Sequence, residues 1–90
     1  MSTVLKEEVQ FANGGVKSGN FDDYNVIRMS EVHEIEVHVV KSTEKIGGIG
    51  ELGVPATAPA VANAFFKATG VRIRRLPLSP STVLASLKKA

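Results

Sequence analysis

The chain has 90 residues, no cysteine and two histidines. That limits it to one small domain and excludes a disulfide, a thiolate metal site or an iron–sulfur cluster held by its own side chains. A net charge of +2, four phenylalanines and one tyrosine provide neither the basic field nor the stacking platform of a nucleic-acid binder.

A hydrophobic content of 43% is that of a folded protein. The opening residues, Met1-Ser2-Thr3-Val4-Leu5-Lys6-Glu7-Glu8, contain no apolar signal core, and no stretch is long and apolar enough to span a membrane.

Residues 9–11 and 16–18 flank Asn13-Gly14-Gly15. Asn-Gly between short extended segments predicts a β-hairpin, because both central residues of a type I′ turn need positive φ. Phe21-Asp22-Asp23-Tyr24-Asn25 reads as a polar connection, followed by a short apolar stretch over 26–29. In residues 34–40, Ile35, Val37 and Val39 alternate with Glu34, Glu36 and His38. That is the pattern of a strand with one buried and one wet face.

A glycine-rich loop occupies 47–56 and carries one acid, Glu51. Thr57 is the expected N-cap of the next helix, with Pro59 in its first turn. Val61, Ala64, Phe65 and Ala68 follow at i, i+3, i+4 and i+7, and Gly70 occupies the left-handed cap position. Residues 71–76 predict a further strand, stopped by Pro77. Ser79 then caps a last helix that starts at Pro80 and is buried through Val83, Leu84 and Leu87. The order gives an α+β fold in a single domain over 1–90. An N-terminal hairpin and further strands form a small sheet, packed by the helix after the glycine loop and by a short C-terminal helix.

His38 falls on the wet face of its strand and His33 at the strand entrance, so neither is expected to bind a metal, and no metal ligand is assigned. Asn63 is expected to bond water or the nearby loop backbone, which has many peptide groups needing partners. Lys67, Arg72, Arg74 and Arg75 read as a solvated basic region. Phe65 belongs to the core, and Phe66, off the main stripe, to an exposed apolar contact.

The chemistry rests on the loop. Gly48-x-Gly50-x-x-Gly53 matches the dinucleotide-binding pattern. Against that reading, the helix is expected only after Thr57, no Asp or Glu follows Glu51, and 90 residues cannot supply both halves of such a fold. Two readings remain on the residues alone. Glu51 is a solvated acid in a flexible connector, or it is a general base in a loop whose glycines let backbone approach a bulky ligand.

From about residue 11 to 78 the sequence resembles the C-terminal end of the large subunit of the molybdenum hydroxylases, the xanthine dehydrogenase and aldehyde oxidase family. The likeness is nearest to the branch called isoquinoline 1-oxidoreductase beta subunit. It is carried by Asn20-Phe21-Asp22-Asp23-Tyr24, Arg28-Met29, Glu34-Ile35-Glu36-Val37-His38, Ser42-Thr43-Glu44 and Gly47-Gly48-Ile49-Gly50-Glu51. Ala58-Pro59-Ala60-Val61-Ala62-Asn63-Ala64, Ala68-Thr69-Gly70-Val71-Arg72-Ile73-Arg74 and Leu76-Pro77 complete it, in order.

The resemblance implies that Glu51 is the counterpart of the catalytic base, with Gly48 and Gly50 lining the cofactor. It implies a molybdopterin dinucleotide with molybdenum in the assembled enzyme and none on this chain alone. The implied partners are the remainder of a large subunit and an iron–sulfur small subunit, and the implied substrates are aldehydes or N-heterocycles. Nucleic acid and membrane insertion are not expected. A cytoplasmic or a periplasmic holoenzyme fits equally.

Two positions depart from the family pattern. Leu52 stands where the family usually places proline after the glutamate, and Lys45-Ile46 stands where prolines are common. The chain is also several times shorter than a family large subunit and should be inactive by itself. A non-catalytic assembly module, binding a protein partner through the helix and the basic strand, is the competing reading.

Overall fold

The first turn of the chain forms the centre of the core. In the computed structural model, which describes residues 1–89, Ser2–Leu5 form helix α1. Val4 on this helix is 1% exposed and packs with Ile73 and Leu78. Leu5, Ala58, Val61, Phe65 and Val83 close around these three. The Leu78 N–H donates to the Val4 carbonyl at 2.7 Å, which ties the two ends of the chain together.

The polar connection is gathered onto α1 by side chains. Tyr24 Oη donates to Glu7 Oε2 at 3.0 Å, and the Ile27 N–H donates to Ser2 Oγ at 3.0 Å. Lys6 Nζ donates to Glu31 Oε2 at 2.6 Å, at the end of a 3₁₀ turn over Met29–Glu31. Asp23 closes its own loop by accepting the Gly19 and Asn20 N–H groups.

The hairpin forms as the Asn-Gly signal requires. Strand β1 (Phe11–Ala12) pairs antiparallel with β2 (Gly15–Val16), with Phe11 opposite Val16 and Ala12 opposite Gly15. Asn13 and Gly14 both have positive φ, 51° and 76°. Helix α2 runs Val54–Thr69 and ends at Gly70, whose φ of 74° and N–H bond to the Phe66 carbonyl make the left-handed cap. Helix α3 runs Pro80–Lys89, capped by Ser79 Oγ, which accepts the Thr82 N–H at 3.3 Å.

The mixed α+β class holds, but the sheet described is this hairpin alone. The expected strands over 34–40 and 71–76 join no ladder. In 34–40 the alternation is present and its partner is not: Ile35, Val37 and Val39 are 74%, 77% and 86% exposed. In 71–76 only Ile73 is buried, held by α1 and the helices rather than by strand pairing.

Helix α2 also starts earlier than Thr57. Gly53 is the N-cap and Pro55 takes the second helical position, where the missing N–H would have no partner in any case. Thr57 Oγ1 instead donates back to the Gly53 carbonyl at 2.8 Å. Pro59 consequently lies inside the helix. Part of each helical stripe departs from expectation as well: Ala64 and Ala68 in α2, and Leu84 and Leu87 in α3, are exposed.

The whole is extended. The radius of gyration is 16.9 Å, against about 12 Å for a compact chain of this length. Every residue from Ser30 to Ala56 is exposed, so nearly a third of the chain lies off the core.

Candidate functional site

The glycine loop leads directly into α2. Its last stretch is a backbone turn in which the Leu52 N–H donates to the Ile49 carbonyl at 3.3 Å and the Val54 N–H to the Glu51 carbonyl at 3.0 Å. Gly50 takes a φ of +24°, a region that a side chain at Cβ disfavours. Glu51 therefore stands three residues ahead of the first residue of α2, on backbone fixed by the helix start, with its side chain exposed.

Around the carboxylate the backbone is open. A Cβ built on Gly47, Gly48, Gly50 or Gly53 meets no heavy atom within 4 Å. A bulky group approaching this loop would find peptide surface and one carboxylate. It would also meet Ile49 and Leu52, which are 81% and 76% exposed. Ile49 carries no signal of its own in the sequence, and Leu52 stands out there only as the residue in place of a proline. What marks both is position: each side chain lies within two residues of Glu51.

The loop fits a large cofactor as one wall and not as a holder. Among the described residues no group of three or more His, Cys, Asp or Glu side chains could ligate a metal. A cleft of about 720 Å³ lies between α1 and the start of α3, lined by Leu5, Lys6, Asn25, Pro77, Leu78 and Val83. It includes no residue of the glycine loop.

The other candidate residues separate from the loop. Asn63 Oδ1 accepts from Arg72 at 2.7 Å, so it bonds a side chain and not loop backbone. The Arg72 guanidinium also stacks 3.7 Å from the centroid of Phe66, which leaves that ring half-buried and claims one charge of the basic region. His38 lies 3.4 Å from Glu36 on the exposed segment, and His33 is exposed.

The early start of α2 also puts the third glycine of the dinucleotide-like pattern at a helix N-terminus, contrary to the sequence expectation. The pattern still lacks its fold, since a two-stranded antiparallel hairpin cannot provide the strand–turn–helix setting it needs.

Comparison with known proteins sets this α+β segment with its exposed carboxylate in a family. Over its full length the chain is homologous to a segment of the large subunits of the xanthine dehydrogenase and aldehyde oxidase family of oxidoreductases. It is 40% identical over 90 residues, 100% of the chain, to isoquinoline 1-oxidoreductase subunit beta of Brevundimonas diminuta. It is 38% identical over 88 residues, 98% of the chain, to a membrane-bound aldehyde dehydrogenase [pyrroloquinoline-quinone] of Gluconacetobacter polyoxogenes. Over 48 residues, 53% of the chain, it is 40% identical to the molybdenum-binding subunit of an aldehyde oxidoreductase of Escherichia coli (strain K12). The chain spans 11%, 11% and 7% of these three relatives. No family model matches it.

Proposed function

We propose that this chain is the C-terminal domain of a molybdenum-dependent oxidoreductase of aldehydes or N-heterocycles, and that it supplies Glu51 to an active site completed by other polypeptide. The observation that carries the reading is the exposed Glu51 carboxylate in a loop whose glycines leave backbone open on the same stretch. The full-length likeness to an isoquinoline oxidoreductase subunit supports it.

When bound, a molybdenum cofactor of the molybdopterin dinucleotide type would supply the oxidation itself and pass the electrons to an iron–sulfur partner. Glu51 takes up a proton on a carboxylate oxygen as the substrate carbon is oxidised, which is general-base work for a single positioned acid. Gly48 and Gly50 admit the cofactor close to backbone, and the exposed Ile49 and Leu52 offer apolar surface beside the carboxylate for the rest of the assembly to cover. Among the described residues no cleft takes in the glycine loop, and the 90-residue chain alone is inactive. The name of the Gluconacetobacter relative carries a quinone in place of molybdenum, so the cofactor is itself part of the proposal.

The test is recovery of the tagged chain from source cells, with partners identified by mass spectrometry and molybdenum by elemental analysis. Molybdenum in a complex with a larger polypeptide, and turnover lost in Glu51→Gln by about 10²-fold or more, supports the reading. Recovery without molybdenum, or full turnover in the variant, overturns it and returns Glu51 to a solvated loop acid.

A further inference from the structure

We infer that residues 34–40 add as an edge strand to a β-sheet of the larger polypeptide, with Ile35, Val37 and Val39 on its apolar face and Glu34, Glu36 and His38 outward. The inference rests on the reading above, since it names the partner surface of that assembly.

Three observations carry it. First, the segment has strand periodicity without a ladder. Its three alternating apolar side chains are between 74% and 86% exposed, and the segment joins neither outer edge of the two-stranded hairpin. Unpaired backbone groups alternating with apolar side chains are what strand addition uses: main-chain bonds for affinity, and alternate side chains for specificity.

Second, the area is that of a permanent interface. The accessible surface of 8167 Å² exceeds by about 3,000 Å² the roughly 5,100 Å² of a compact monomer of 9.6 kDa. An excess of this size on one partner belongs with obligate complexes, not with transient contacts.

Third, a second copy of the chain does not cover what is exposed. Antiparallel self-pairing about Val37 sets Ile35 against Val39 and Glu36 against His38. It satisfies one backbone edge and leaves both apolar faces in water, and an isolated two-stranded ribbon is marginal. A sheet edge already lying on an apolar layer satisfies ladder and face together. The relatives carry that much chain, since the matched segment is only 11% of the length of the first of them.

The experiment uses the full chain and a defined probe: the Brevundimonas diminuta beta subunit lacking the segment this chain matches, shown competent by rebinding its own excised segment. Amide exchange over 34–40 is read with and without the probe. The expected result is slowing by about tenfold or more at alternate amides, because only one edge of an added strand is paired. Val37→Asp should weaken capture about tenfold or more, while Glu36→Lys stays within about threefold.

Three results overturn the inference: capture with 34–40 exchanging as in the free chain, no capture by the competent probe, or protection that appears in the chain alone and grows with its concentration. Capture with protected amides but turnover indifferent to Glu51→Gln would leave this inference standing and sink the proposed function instead.

Discussion

The Leu78 N–H bonded to the Val4 carbonyl at 2.7 Å joins the first helical turn of the chain to the residue that precedes the cap of α3. Both side chains are buried, and Ile73 is the third member of the same core. With so few buried residues, each carries a large share of the stability. Leu78→Ala should cost about 2–3 kcal/mol, the low end for a core leucine, because the cleft beside it lets the site relax. Urea unfolding followed by circular dichroism measures this. A change under about 0.5 kcal/mol would mean that the three-residue core does not govern folding.

The C-cap of α2 gives a second test. Gly70 sits at φ 74° with its N–H on the Phe66 carbonyl, and an added Cβ meets nothing within 4 Å. The cost of Gly70→Ala is therefore conformational and not steric. The left-handed penalty, less the entropy that alanine removes from the unfolded chain, leaves about 1 kcal/mol of destabilisation. Gly53→Ala, at φ −78° with the same open surroundings, should stay within about 0.5 kcal/mol of the parent.

Reading order in the sequence explains which features were legible. Asn13-Gly14, Gly70 and Ser79 were readable because each acts through its own backbone or the next turn. Val4 was not, since a four-residue helix has too little periodicity to announce a core position. The start of α2 differs from expectation because Thr57 resembles a cap while Gly53 and Pro55 already suffice. The 34–40 run shows the other limit. Its alternation is that of a strand with one apolar face, but burial needs a partner, and none of the described residues provides one. Glu51 is legible as a lone acid among glycines; the exposure of Ile49 and Leu52 beside it needs the structure.

Acid should loosen the polar connection before it reaches the core. Lys6 and the Arg28 N–H hold the Glu31 carboxyl below its ordinary value of 4.5. The Gly19 and Asn20 N–H groups hold Asp23 below 3.8. A carboxyl whose folded pKa is depressed contributes stability above its unfolded value and loses it as pH falls through the folded one. The urea midpoint should thus be flat from pH 7 to about 5 and decline below the ordinary carboxylate range. Glu31→Gln combined with Asp23→Asn should shrink that decline. An unchanged acid limb in the double variant would assign the loss to other groups.

Glu51 separates stability from activity. Its side chain is exposed, and its fixed part is the backbone carbonyl that accepts the Val54 N–H, which any substitution retains. Glu51→Gln should therefore leave the urea midpoint of the isolated chain equivalent to within about 0.5 kcal/mol. If Glu51 has the proposed role of base in an assembled enzyme, the same change removes the proton acceptor while keeping size and hydrogen-bonding capacity, so turnover should fall by about 10²-fold or more with assembly intact. Glu51→Asp retains the carboxylate but withdraws it by one methylene. Because proton transfer depends on sub-ångström placement, it should recover only part of the rate. A variant that destabilised the chain and slowed turnover in proportion would make Glu51 a structural residue. Normal stability with lost turnover, partly restored by aspartate, is the pattern of a base.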